Sequence, residues 1–240
     1  MTDELRHHWI LHEIDEEAVR HEGERAKLPA QRQAFEARVA GERRKLAEID
    51  ARAAALDKRR RELERDIATF EAQEKKYRVQ LDAVTDQKQF EAVQHEIAGV
   101  AGKRSDLETQ ALTVMDDEER NTGARPHAAE VLARAERESG EGLARIAAEQ
   151  ARLDGLIAAL DARRIETTAL LEPSARTRYE RARLLRGGRG VAAIDKGACG
   201  GCYRNLAPHA LQEARKRDHL IVCDGCGRLV MLPPEDGAGT

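Results

Sequence analysis

The sequence contains few of the residues from which globular cores and membrane spans are built. Aromatic residues make up 3% of its 240 residues, and no apolar run approaches the roughly 20 residues that cross a bilayer. Residues 1–10 do not resemble a signal peptide, so we expect a soluble, cytoplasmic protein. The sequence has no glycine-rich phosphate loop and no clustered Ser/His/Asp set, and two paired helices enclose no pocket. We therefore expect no enzymatic activity and no small-molecule substrate.

Charged residues, at 35% of the chain, and abundant Ala, Glu, Arg and Leu favour long helices or a coiled coil. A heptad pattern of alternating three- and four-residue steps predicts a helical seam. Its positions are Leu46, Ile49, Ala53, Leu56, Arg60, Leu63, Ile67, Phe70, Glu74, Tyr77, Leu81 and Val84. The same spacing returns at Phe90, Val93, Ile97, Val100, Arg104, Leu107, Ala111 and Val114, and later at Leu132, Ala135, Ile146, Leu153, Leu156, Leu160 and Leu170.

The two seams are out of register, because Val84 and Phe90 are six residues apart where the pattern allows three, four or seven. This favours a turn at 85–88, with Thr85 or Asp86 capping the second helix; one unbroken helix is the alternative. We predict an antiparallel coiled-coil hairpin over residues 1–172, with arms of roughly 120 Å if fully helical. Pro29 and Gly140–Gly142 predict a bend at one level of both arms, and residues 122–126 predict a kink or a short break.

Four cysteines are the only ones in the chain, and they form two Cys-x-x-Cys pairs, Cys199/Cys202 and Cys223/Cys226, separated by twenty residues. This spacing predicts one structural Zn²⁺ bound by four thiolates, with no open position for catalysis. The neighbouring glycines are expected to supply the backbone freedom of the two turns, and His209 and His219 to be surface residues. Two disulfides would require an oxidising compartment, and a redox Cys-x-x-Cys would occur once.

Residues 173–232 are predicted to form a short helix followed by a zinc ribbon, and residues 233–240 a disordered tail. The helix spans 174–185, with Tyr179 and Leu184 packed inward. Short strands are expected at 191–194, 220–222 and 228–232, and one or two helical turns at 208–216.

The basic charge is concentrated near the ribbon. Residues 173–219 hold eleven Lys/Arg against four Asp/Glu, whereas residues 1–172 carry a net charge of −8. Candidate nucleic-acid-binding residues are Arg178, Arg181, Arg183, Arg186, Arg189, Arg204, Arg215, Lys216 and Arg217. Such side chains neutralise phosphates, but salt bridges to the acidic hairpin are an equal alternative. Lys88, Gln89 and Phe90 at the tip are candidates for docking a protein partner.

Several segments resemble a bacterial family that joins a helical hairpin to a C-terminal C4-type zinc ribbon. They include Leu11–Asp15, Val84–Val93, Tyr179–Arg181, Gly188–Ala192 and the Cys-Gly-Arg ending of the second knuckle. Gln89-Phe90 departs conservatively from the Glu-Tyr that relatives tend to have.

The resemblance implies a nucleic-acid-associated or regulatory adaptor, since relatives have been tied to flagellar gene control through RNA and an alternative sigma factor, and to type III secretion. We therefore expect a zinc-ribbon regulator that binds RNA or DNA through its basic C-terminal module while the hairpin docks a protein. A protein-interaction adaptor or chaperone-like scaffold without nucleic-acid binding is the alternative.

Overall fold

The computed structural model describes residues 2–234, which form five helices and four strands. The helices are α1 (Asp3–Arg25), α2 (Leu28–Asp82), α3 (Gln87–Ala169), α4 (Pro173–Leu185) and α5 (Pro208–Lys216). The strands are β1 (Val191–Asp195), β2 (Ala198–Cys199), β3 (Ile221–Val222) and β4 (Leu229–Met231). The predicted fold class, a long helical hairpin with a small cysteine-containing ribbon, is confirmed. None of the helices within residues 2–234 has the length and apolar character needed to cross a membrane.

Helices α2 and α3 run antiparallel, so residues later in α2 form ion pairs with residues earlier in α3. Arg43 contacts Glu136, Asp50 contacts Arg125, and Glu74 contacts Arg104 nearer the turn. The seam positions are mostly half-buried, and Leu63 and Val100 are buried. Partial burial is what two helices provide, because each seam is covered from one side only. The heptad pattern therefore identified the contact face of both helices.

The link between α2 and α3 comprises residues 83–86 and overlaps the predicted turn. The Asp86 carboxylate accepts a hydrogen bond from the backbone amide of Gln89 at 3.1 Å, so Asp86 is the residue that caps α3. Lys88 and Gln89 are exposed in the first turn of α3, and Phe90 is half-buried.

The helical path is interrupted beside Pro29 but not at the other predicted weak points. Helix α1 ends at Arg25 and α2 begins at Leu28, which places Pro29 in the first turn of α2, where its missing amide is tolerated. Helix α3 continues through residues 122–126, including Pro126, and through Gly140–Gly142. The short break considered for 122–126 is therefore absent, and the kink stays a prediction.

Contacts group the chain into two compact units, Met1–Gln33 with Leu143–Thr240, and Ala34–Gly142. The first unit contains α1 and the whole ribbon. The predicted boundary at 172 follows chain topology instead, and it stays a prediction. The predicted disordered tail, residues 233–240, lies outside the described residues from 235 onward.

The ribbon sheet has the strand order β2-β1-β4-β3, with β1 and β4 parallel and the outer pairs antiparallel. Side chains alternate between its two faces. Val191, Leu229 and Met231 join a core with Leu5 and Leu11 of α1 and Tyr179 of α4. Ala192, Ile194 and Val230 join the cysteines and Ala214 of α5. One face thus attaches the ribbon to α1, and the other packs on the knuckles.

Two predicted packing residues are exposed instead. Leu184 is 85% exposed, because Ala175, Tyr179 and Ala182 define the buried face of α4 and Leu184 lies about 200° around the helix from Ala182. Leu170 is 64% exposed, because α3 ends at Ala169 and the heptad frame ends with it. Leu171 is buried in its place.

Candidate metal centre and basic surface

Two similar turns present the four cysteines. The amide of Tyr203 donates to the carbonyl of Cys199 at 2.7 Å, and the amide of Gly227 donates to the carbonyl of Cys223 at the same distance. In each turn the residue after the second cysteine is left-handed, with φ of 61° at Tyr203 and 72° at Gly227. The sequence indicated Gly227 but gave no sign that Tyr203 adopts this conformation.

The other knuckle glycines are needed for space, which corrects the expectation that they supply backbone freedom. A Cβ atom on Gly200 would lie 2.7 Å from the Ala193 carbonyl oxygen. A Cβ on Gly201 would meet the Arg228 side chain at 2.7 Å, and one on Gly225 would meet the Arg204 side chain at 2.8 Å. The first knuckle is therefore closely covered by β1 and by Arg228.

The sulfur atoms have the separations of a tetrahedral zinc shell. All four lie within 4.8 Å of one another, and the Cys199–Cys226 and Cys202–Cys223 pairs are each 3.8 Å apart. A tetrahedron with zinc–sulfur bonds of about 2.3 Å has edges of about 3.8 Å, whereas a disulfide bond is about 2.05 Å. The four cysteines form a C4 site for one structural zinc ion.

The protein environment shifts the pKa values of two of the cysteine thiols in opposite directions. Burial raises the pKa of the Cys199 thiol to about 12, although the amides of Gly201 and Cys202 donate to its sulfur. Burial alone would also raise the pKa of the Cys226 thiol. Interactions with Arg228, Cys202 and Cys199 outweigh this effect and lower the pKa to about 7. A bound Zn²⁺ supplies the positive charge that keeps all four sulfurs deprotonated. His209 and His219 are exposed, as predicted.

Asp15 is a buried anionic centre that the sequence analysis missed. Its side chain is 0% exposed. It accepts hydrogen bonds from the Tyr179 hydroxyl at 2.8 Å and from the Gly190 amide at 3.0 Å. The guanidinium groups of Arg164 and Arg183 lie 3.3 and 3.5 Å away. Burial raises the pKa of the Asp15 carboxyl, and these four donors oppose that effect.

Asp15 thereby joins α1, α3, α4 and the loop before β1. Gly190 allows the close approach, because a Cβ there would lie 2.5 Å from the Tyr179 ring. The signal in the sequence was indirect. Asp15, Tyr179 and Gly190 each fall inside a segment that carried the family resemblance, but nothing in the sequence placed them together.

Eight of the nine predicted cationic residues divide into two groups. Arg183 pairs with Asp15, Arg189 with Glu16 at 2.7 Å, and Lys216 with Glu213 at 2.6 Å. The second group, which we call the unpaired arginines, has no carboxylate partner within residues 2–234. Its members are Arg178, Arg181, Arg186, Arg204 and Arg215. Arg217 ends α5 in a left-handed conformation with φ of 55°.

Comparison with known proteins places this architecture in a family. The model of the CT398-like coiled coil hairpin domain matches residues 11–187, and that of the C4-type zinc ribbon domain matches residues 198–230. The chain belongs to the CT398-like coiled-coil hairpin family. No curated protein matches it.

Solved structures resemble this CT398-like chain over nearly its whole length. CT398 from Chlamydia trachomatis is 23% identical, with a TM-score of 0.83 and coverage of 96% of this chain and 98% of that one. HP0958 from Helicobacter pylori is 14% identical, with a TM-score of 0.65 and coverage of 95% and 97%. A protein from Mycobacterium smegmatis is 22% identical, with a TM-score of 0.57 and coverage of 97% and 100%. At these identities the likeness shows the fold.

Proposed function

We propose that this CT398-like protein is a non-enzymatic cytoplasmic regulator that binds the backbone of RNA or DNA through the unpaired arginines. The observation that supports this is the arrangement of Arg178, Arg181 and Arg186. These three line a hollow of about 310 Å³ between α4 and the second knuckle. Cations without a carboxylate partner keep their charge available to neutralise phosphates, and each contact with a phosphate releases counterions.

The composition of this surface favours backbone contact over base reading. Tyr203, at 83% exposure, is the one strongly exposed aromatic residue of the described ribbon. Base stacking on proteins uses several such rings in succession. We therefore expect affinity that depends strongly on salt and weakly on sequence.

A salt titration of filter binding tests the proposal in the full-length protein. A plot of log affinity against log salt has a negative slope. Each lost phosphate contact reduces the magnitude of this slope by about 0.7 for single strands or 0.9 for duplex DNA. Replacing Arg178, Arg181 and Arg204 by Gln is expected to reduce the slope by about 2 to 3 and to weaken binding to every sequence tested.

A matched control removes the same charge from the hairpin. Arg38, Arg43 and Arg125 are each paired with a carboxylate of the facing helix. Their replacement by Gln is expected to leave the slope unchanged. Equal loss in both triple variants would show a nonspecific effect of net charge. Absence of salt-sensitive affinity for RNA and DNA in the wild-type protein would refute nucleic-acid binding and leave the adaptor function.

A second role, docking of a protein partner by the hairpin, is favoured by an apolar surface near the turn. A hollow of about 660 Å³ is lined by Leu81, Ile97 and Ala98, with Arg78, Asp82 and Gln94 around them. Capture of partners from the native cell, comparing wild type with Leu81→Glu and with Glu71→Ala as an exposed control on α2, tests this role. A partner retained equally by all three proteins would contradict it.

A further inference from the structure

Arg228 is a buried cation without an anionic side chain beside it. It is 8% exposed, and no carboxylate within residues 2–234 lies at ion-pairing distance. Arg164, which is equally buried, contacts both Asp15 and Asp161. Burial of a charge is costly unless it is paired and hydrogen-bonded. Arg228 therefore needs a compensating negative charge of another kind.

The hydrogen bonds of Arg228 satisfy its donors but do not neutralise its charge. Nε donates to the carbonyl oxygen of Arg189 at 3.2 Å, Nη1 to that of Gly201 at 3.1 Å, and Nη2 to that of Arg186 at 3.0 Å. Arg186 and Arg189 belong to the loop between α4 and β1, whereas Gly201 lies between Cys199 and Cys202. The guanidinium thus bridges this loop and the first knuckle.

The zinc centre supplies a negative charge in the neighbourhood of Arg228 when the metal is bound. Four thiolates around one Zn²⁺ carry a net charge of −2. Arg228 follows Cys226 by two residues, and its backbone carbonyl accepts a hydrogen bond from the amide of Cys223 at 2.9 Å. Its guanidinium also packs against Gly201, where an added Cβ would approach Nη1 to 2.8 Å. Arg228 is therefore adjacent to both knuckles.

We propose that Arg228 is the counter-cation of the tetrathiolate zinc centre. Because its guanidinium donates to carbonyls of the 186–190 loop, zinc occupancy and the position of this loop are coupled. Zinc binding places the anion beside the guanidinium, and the guanidinium holds the loop. The Gly190 amide of the same loop donates to Asp15 on α1. Metal occupancy is thereby linked to the attachment of the ribbon to α1, independently of any nucleic acid.

Zinc affinity of the full-length protein tests the electrostatic part. Loss of an outer-sphere partner of a metal ligand typically weakens binding by about 10- to 100-fold. Arg228→Gln, which removes the charge, is expected to raise the zinc dissociation constant by that factor in competition with a chromogenic chelator. Arg228→Lys retains the charge and is expected to restore most of the affinity.

Two glycine substitutions provide a matched pair that leaves Arg228 in place. Gly201→Ala pushes the buried guanidinium aside, whereas Gly225→Ala pushes aside Arg204, which is exposed and free to move. Gly201→Ala should weaken zinc binding like Arg228→Gln. Gly225→Ala should remain within about threefold of wild type, as for most surface changes. A visible spectrum of four-sulfur coordination by Co²⁺ verifies that each variant retains the ligand set.

A comparison of zinc-bound and chelator-treated protein separates charge compensation from simple anchoring. Trp9, the single tryptophan, packs against the core shared by α1 and the ribbon, so its fluorescence reports this attachment during melting. Arg228→Gln should lower the melting temperature of the zinc-bound protein. After zinc removal it should not, because the buried Arg228 of the wild-type protein then has no anion to compensate its charge. Equal losses in both states, or wild-type zinc affinity in Arg228→Gln and Gly201→Ala, would overturn the proposal.

Discussion

Replacement of Asp15 is expected to be among the most damaging single changes in this protein. Asp15→Ala leaves the Tyr179 hydroxyl and the Gly190 amide without their acceptor. An unsatisfied buried donor costs about 1–3 kcal/mol. Removing one partner of a buried ion pair costs about 3–5 kcal/mol, and this applies to Arg164, which is 9% exposed at its side chain.

The total is smaller than this sum, because Arg164 keeps its ion pair with Asp161. Arg183 adds little, since its side chain is 28% exposed and can be rehydrated. We expect Asp15→Ala to lower the free energy of unfolding by about 4–6 kcal/mol, which approaches the whole stability of a small unit. Asp15→Asn keeps the shape and one acceptor oxygen and should lose about 2–3 kcal/mol. Tyr179→Phe removes only one hydroxyl and should lose about 1 kcal/mol. The three variants form a graded series.

Urea unfolding followed by Trp9 fluorescence measures these losses in the unit that contains Asp15. Glu16→Ala is the matched control, because Glu16 is the next carboxylate on α1 and pairs with Arg189 at a half-exposed site. Its loss should stay below about 1 kcal/mol. If Asp15→Ala and Glu16→Ala differed by less than about 1 kcal/mol, the assignment of Asp15 as a buried anchor would be wrong.

Three further predictions concern the metal, pH and the seam. Cys199→Ser should abolish zinc binding, seen by elemental analysis, yet leave helical circular dichroism nearly intact, because the long helices pair with each other; a collapse of helicity would contradict this. Burial lowers the pKa of His8 below its usual 6.5, so unfolding takes up a proton and the contribution of His8 to stability is lost as pH falls below 6.5. Urea unfolding at pH 7.5 and 5.5 should show a larger loss in wild type than in His8→Leu. Glu74, buried in the seam beside Arg104, should tolerate Leu without loss of melting temperature but not Ala, since an apolar side chain refills the seam.

The sequence was sufficient for the parts of the fold that depend on local pattern. The heptad positions are set by helical periodicity, and the change of register between Val84 and Phe90 marked the turn. The metal site was equally accessible, because two Cys-x-x-Cys turns at this spacing have few other uses. The charged residues Arg60 and Glu74 were also assigned correctly to the seam, because their heptad positions placed them on the contact face.

The sequence was insufficient where contacts join distant segments. Asp15 lies among Glu13, Glu16 and Glu17 on α1 and resembles a solvated acidic surface. Its burial depends on Tyr179 and Gly190, more than 160 residues away. Arg228 and His8 are likewise buried, at 8% and 0% exposure, although neither belongs to an apolar pattern in the sequence. Burial of a charged or polar group is decided by its partners, and these partners are invisible to periodicity.

Two buried charged residues of the first unit, Asp15 and Arg228, hold one short loop from opposite sides. Asp15 holds the loop from the α1 side through the Gly190 amide, and Arg228 holds it from the knuckle side through the carbonyls of Arg186 and Arg189. Zinc loss removes the anion near Arg228 but leaves the contacts of Asp15 with Arg164 and Tyr179 intact. The loop should therefore loosen from the knuckles first, while α1 stays attached to α3 and α4. This order follows from the position of the charges, since only one of the two anchors depends on the metal.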